Sequence, residues 1–409
     1  MSNGMKNWFL GLLLGSCLSS AALWAQAPST WLVQLDPQTT PEALASTLKA
    51  QGIRQYWVQT IAPAWGIHLW QTAEPQRFVE ALRQYPGLRN YQPNAPVSPR
   101  STPNDPAYDR QWAHERIGTP QAWQHSTGGR TAEGDTLVCA IIDATFDVTH
   151  EDLAPNLWRN RAEVPNNGID DDRNGYVDDY LGWQVVFDTD RHDYGPISNH
   201  GSAVAGLVAA RGDNAVGVAG GNWQLQLMLG SAHTAQAITD LANVVEAYHY
   251  IWQQRRQYNA TNGQAGAYVV AINASWGIDF APAENYPLWC ALYDTLGQAG
   301  ILSIAAATNA DVDIDRDGDM PCTCPSPYLI TVGESTQLET QQGGFGRTHL
   351  DLFAPSGTRS LRWGNRYGDF GGTSGAAPLV SGAVALLYSA PSVRWVQQQR
   401  AQPAEAARS

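Results

Sequence analysis

The chain has 409 residues, a 43% hydrophobic fraction and a formal net charge of −13. That length supplies two or three domains and a large buried core. The surplus of carboxylates leaves nothing to neutralise phosphates, which argues against nucleic-acid binding and for a soluble protein that holds cations.

Residues 1–25 read as a secretory signal peptide. Lys6 is the positive flank, 8–14 is a short apolar core, and Ala21-Ala22-Leu23-Trp24-Ala25 offers small residues for cleavage after Ala25. Leu14-Gly15-Ser16-Cys17 leaves lipidation at Cys17 as the alternative. No run is long enough to span a bilayer. Residues 26–93 read as a small module. A strand at 31–35, a helix at 41–50, strands at 56–61 and 66–70, a helix at 75–85 and a strand at 88–91 give the order β-α-β-β-α-β. That order predicts a ferredoxin-like α/β fold, and no titratable cluster marks it as catalytic. Residues 94–106, rich in Pro, Ser and Asn, read as an exposed linker open to proteolysis.

Residues 107–409 form the main domain. Apolar runs at 137–142, 225–229, 268–272 and 301–307 have no polar interruption, as strands buried on both faces do. Helical stretches at 201–210, 239–256 and 286–298 lie between them. The alternation predicts an α/β fold with a doubly wound, mostly parallel sheet, whose sites form where strands end. Trp183, Trp223, Trp252, Trp276 and Trp289 are expected in the core or the wall of a cleft.

Three residues stand at the mouths of these elements. Asp143 ends the first run, His200 precedes Gly201-Ser202 and a small-residue helix, and Ser374 lies in Phe370-Gly371-Gly372-Thr373-Ser374-Gly375-Ala376-Ala377-Pro378. The glycines permit a tight turn and close approach of a ligand. A serine at a helix start sits at the positive end of the helix dipole, which suits an oxygen gaining negative charge. Pro378 is expected near the first turn, where a missing N–H costs little.

Two loops carry metal-ligand spacing. Asp170, Asp172 and Asn174 alternate before Gly175, Tyr176 adds a carbonyl and Asp178 a carboxylate, the oxygen pattern that calcium requires. No glutamate stands at the twelfth position, so the loop is not an EF-hand. Asp313, Asp315, Asp317 and Asp319 repeat the spacing more weakly, directly after Asn309. Cys139 reads as a buried thiol. In an exported chain Cys290 is expected to pair with Cys324 or with Cys322.

These blocks together resemble the subtilases, the subtilisin-like serine peptidases, over roughly residues 103–390. Asn104-Asp105-Pro106 with 117–123, the aspartate block at 138–153, His200-Gly201-Ser202-Ala203-Val204-Ala205-Gly206, Asn273-Ala274-Ser275-Trp276-Gly277 and the serine block occur in the family's order. The resemblance implies an endopeptidase acting on proteins or peptides. In it Asp143, His200 and Ser374 form the triad, Asn309 serves the oxyanion, and Ser275, Trp276 and Gly277 bind the substrate strand. It also implies a propeptide in residues 26–93, cut off within 94–106, calcium as the stabilising ion and a monomer as the working state. Thr145 and Thr308 replace glycines usual in the family, and a catalytically inactive, peptide-binding scaffold is the alternative. The chain stops 35 residues after Ser374, so the resemblance implies a truncated end.

Overall fold

The computed structural model describes residues 30–94, 102–193, 195, 198–232, 240–390 and 392–408. The signal segment, Cys17 and residues 95–101 of the linker lie outside the described residues. The chain divides into two compact units, Met1–Ser98 and Pro99–Ser409.

In the first unit the strands Thr30–Leu35, Tyr56–Ala62, Ile67–Thr72 and Leu88–Pro93 form one antiparallel sheet, ordered second, third, first, fourth. The helices Pro41–Ala50 and Pro75–Arg83 fill the two crossovers. Thr40 caps the first helix by accepting from the Ala43 N–H at 3.3 Å. Leu44, Leu48, Phe78 and Leu82 meet Val33, Leu35 and Trp70 in a single apolar core. This is the β-α-β-β-α-β arrangement that the hydrophobic pattern predicts.

The second unit is built on an eight-stranded sheet. Its strands run in the order Gln341–Gln342, Leu329–Ser335, Leu302–Ala306, Tyr268–Ala274, Leu137–Asp143, Gln226–Ser231, Gly182–Gln184, and Leu352–Pro355 also pairs with Leu329–Ser335. All pairings are parallel except that of Gln341–Gln342. All seven residues of Leu137–Asp143 are buried. Leu137, Cys139 and Ile141 enter one core with the helices His200–Ala209 and Thr373–Leu387. Val138, Ala140 and Ile142 enter a second core with Leu241–Thr261 and Pro287–Gln298. Helices on both faces explain why this strand carries no polar alternation. The chain winds outward from it in both directions, so the order reverses beside it, where clefts form in such sheets.

Two details depart from the expectations. Pro378 stands inside the serine helix, because that helix begins at Thr373. The N–H that Pro378 lacks would have served the Ser374 carbonyl. That carbonyl accepts instead from the Ser275 hydroxyl at 3.2 Å. The polar tail forms the helices Val393–Ala401 and Pro403–Arg408, with Val396 and Ala407 buried. Arg400 ties the tail to Glu133 at 2.6 Å and also pairs with Asp135.

Candidate active site

Asp143 closes the central strand and is 2% exposed. His200 opens its helix with a ring 34% exposed. Its Nδ1 lies 2.9 Å from each carboxylate oxygen of Asp143. The Asp143 charge raises the His200 pKa above its ordinary value, against the opposing effect of burial. Phe370 packs edge-on against the imidazole with ring centroids 5.2 Å apart. An Nδ1–H committed to Asp143 leaves Nε2 as the basic nitrogen.

The link between these residues also accounts for Thr145. Its hydroxyl donates to the Ser198 carbonyl at 3.2 Å, two residues before His200. Its own carbonyl lies where a Cβ on Gly201 would approach to 2.6 Å. The threonine therefore braces the backbone on which the histidine stands.

Ser374 is the second residue of its helix and is half-buried. Gly372 precedes the helix at φ 76°, where an added Cβ would meet the Asn309 side-chain oxygen at 2.8 Å. The turn thus requires glycine on both grounds. Ser374 Oγ donates to the Ser275 carbonyl at 3.1 Å. Among the described residues no hydrogen bond joins Ser374 to His200.

Asn309 follows the strand Leu302–Ala306. Its Oδ1 accepts from the Thr373 N–H at 3.0 Å and from the Thr373 hydroxyl at 3.1 Å. A backbone N–H can only donate, so the carboxamide orientation is fixed and its NH2 stays free for the cleft. Thr308 is held by its N–H to Asp319 at 2.8 Å and by its carbonyl to Gly344 at 2.8 Å. A Cβ on Gly344 would come within 2.9 Å of the Thr308 methyl. The extra bulk of Thr308 is thus matched by a glycine 36 positions later (344 − 308).

Ser275, Trp276 and Gly277 leave the strand Tyr268–Ala274 beside Ser374. The Asn273 amide holds the Ser275 hydroxyl at 2.9 Å, and the Ser381 hydroxyl holds Asn273 at 2.8 Å. Trp276 Nε1 donates to the Ile142 carbonyl at 2.7 Å, next to Asp143. A Cβ on Gly277 would meet the Met320 carbonyl at 2.2 Å.

The model of the subtilase family matches residues 134–407. The chain belongs to the subtilase family. It is 25% identical to subtilisin-like protease 1 of Plasmodium berghei over 70% of this chain and 48% of that protein. It is 28% identical to the thermophilic serine proteinase of Bacillus sp. strain AK1, over 76% of this chain and 66% of that protein. An extracellular protease of Xanthomonas campestris is 25% identical over 78% of this chain and 54% of its own length. The chain thus spans about half to two thirds of these relatives. The epidermin leader peptide processing serine protease of Staphylococcus aureus has the same fold, with a TM-score of 0.53, 18% identity and coverage of 93% and 91%.

The acidic loops of this subtilase are held largely by hydrogen bonds of their own carboxylates. Asp170 accepts from the Asn174 and Gly175 N–H groups at 3.0 and 2.9 Å, and Asp178 from those of Asn167 and Gly168, both at 2.9 Å. Tyr176 packs its ring on Trp183 and Tyr250. Asn174 donates its side chain to Asp179 at 3.0 Å. Among the described residues the carboxylates that converge are Asp172, Asp179 and Glu163, within 4.8 Å of one another. Burial raises the Asp179 pKa to about 6. Glu163 Oε2 is buried with no hydrogen-bond partner, an acceptor that a cation would satisfy. Sequence spacing passed over Glu163 because it precedes the repeat, and over Asp179 because the pattern ends at Asp178.

The second loop does not converge. Asp313 caps a short helix, and Asp317 pairs with Arg316 at 2.5 Å. Asp315 accepts from the N–H groups of Arg347, Thr348 and His349, and its pKa is lowered to about 2 by these bonds and the His349 ring despite partial burial. Asp319 turns inward to Thr308. Cys290 is bonded to Cys324, and Cys139 and Cys322 are buried free thiols.

Proposed function

We propose that this subtilase is a serine endopeptidase that cleaves proteins or peptides through an acyl-enzyme. The observation that carries the reading is the double contact of His200 with Asp143, next to a serine at a helix start and a free Asn309 amide. Ser374 Oγ turns from the Ser275 carbonyl to His200, gives up its proton to Nε2 and attacks the scissile carbonyl. Asp143 holds the imidazole in the tautomer that accepts this proton and stabilises the charged ring. The oxyanion receives the Asn309 amide and the helix-start N–H groups. His200 returns the proton to the leaving amine, and water then releases the acyl group. The Ser275 carbonyl, freed of the Ser374 hydroxyl, takes a substrate N–H as the peptide adds a strand along Ser275–Gly277.

The same reading makes residues 1–25 a signal peptide for secretion, residues 26–93 a propeptide that masks the enzyme until a cut within 94–106, and the mature enzyme a monomer. Relatives named as extracellular proteases support export, and among the described residues no helix is long and apolar enough to cross a membrane. Calcium is the proposed ion, held by Glu163, Asp172 and Asp179. When bound it would supply the positive charge that relieves the repulsion among buried Glu163 and Asp179 and half-buried Asp172.

The bond from Ser374 to Ser275 favours a second reading, a peptide-binding scaffold whose serine stays parked. Hydrolysis of a fluorogenic peptide library separates the two. The enzyme reading expects turnover that Ser374→Ala abolishes; binding of the same peptides without turnover would overturn it.

A further inference from the structure

The loop after Asn309 returns as the short strand Asp319–Met320, antiparallel to Ile278–Asp279. In that ladder Asp319 stands directly opposite Asp279. Like charges in opposed positions destabilise a strand pair. Neither carboxylate has a cationic partner among the described residues. Asp319 is served by the Thr308 N–H at 2.8 Å and by the Cys322 thiol. A local rule is thus broken beside the nucleophile, where such violations mark function.

Both aspartates line a pocket of about 80 Å³ that opens beside Ser374, between Gly277 and the strand end Ala306–Ala307. Asp319 is 1% exposed and lies deep, and Asp279 is exposed and lies toward the mouth. With two opposed carboxylates and no cationic partner for either among the described residues, a cation entering the slot would find carboxylates short of countercharge. A resident calcium needs about six to eight oxygen ligands, and two carboxylates do not furnish them. Small residues (Gly277, Ala306 and Ala307) leave the slot its room, and Gly277 lies close against the Met320 carbonyl. A slender chain with a charged tip fits it.

We infer that this pocket selects a basic side chain, lysine or arginine, on the residue whose carbonyl Ser374 attacks. The inference rests on the peptidase reading and adds the substrate class to it.

The test uses peptides that differ only at that residue, carrying lysine, arginine, norleucine, phenylalanine or glutamate. Once its N-terminal module has been cut away within 94–106, the protein is expected to cleave the lysine or arginine peptide at least ~100-fold faster in kcat/KM than the norleucine peptide. Asp319→Asn keeps an acceptor for the Thr308 N–H and should bring that ratio close to one, whatever the absolute rate. Asp279→Asn, at an exposed position, should lower it several-fold and keeps the test decisive if the first variant misfolds. Equal cleavage of norleucine and lysine would overturn the inference and leave the peptidase reading standing. If no peptide is cleaved by the processed protein, the peptidase reading fails, and calorimetry on Ser374→Ala, its N-terminal module removed by limited proteolysis within 94–106, still decides the pocket. Tighter binding of the lysine or arginine peptide than of the norleucine peptide supports it, and equal binding overturns it.

Discussion

Asp143 reaches His200 through two contacts of 2.9 Å, and that geometry sets the pH behaviour of the site. The general base must be neutral, and its pKa is raised above 6.5. Activity is therefore expected to fall as pH drops through a value above that of an ordinary histidine. Asp143→Asn should move this limb to lower pH and cost about 10⁴ in kcat; pH profiles of kcat/KM check it, and an unmoved limb would contradict it. The same shift adds stability below pH 6.5 that is lost as pH rises through the raised value. Asn309→Ala should lower kcat by about 10²–10³ with little change in KM. The three candidate residues stand out in the sequence because each ends an apolar run or opens a small-residue helix. The braces do not. Thr145 works through Ser198 and Thr308 through Gly344, and neither pairing leaves a spacing signal.

At the scale of elements, Gly277 and the Glu163 cluster make the sharpest predictions. Gly277→Ala drives a Cβ into the Met320 carbonyl, which is backbone and cannot swing away. Peptide hydrolysis should be lost and the melting temperature lowered, at a cost of about 1–3 kcal/mol; a variant as stable and active as the parent would contradict this packing. Chelation should lower the melting temperature of the parent. Glu163→Gln and Asp172→Ala should both remove that response, whereas Asp315→Asn should leave it intact. Calorimetry with and without chelator separates these outcomes. Strands buried on both faces were legible as unbroken apolar runs. The hairpin Thr358–Arg362 with Arg366–Phe370 was not, because arginines at 359, 362 and 366 and Asp369 interrupt its apolar pattern and its turn is short. The partners of Asp315 were not legible, because the backbone amides it accepts from, those of 347–349, are distant in sequence.

At the scale of the whole molecule, a module with its own core and a unit of subtilase fold, with a large core on each face of its sheet, are joined in one chain. The sequence changes pattern along its length: six short elements, a Pro- and Ser-rich stretch, then long two-sided runs. Purified protein is expected to shed its first ~100 residues by its own activity. Ser374→Ala should retain them, as read by intact mass; equal processing of the variant in pure form would contradict self-cleavage. The end of the chain was less legible. Its polar residues conceal Val396 and Ala407, which are buried by tertiary packing rather than announced by a strong apolar face.

The most direct test of the central claim is labelling with a fluorophosphonate, located by peptide mass mapping and run beside His200→Ala. The account predicts an adduct on Ser374 that depends on His200. A folded protein freed of its N-terminal module and yet unlabelled at Ser374 would contradict it.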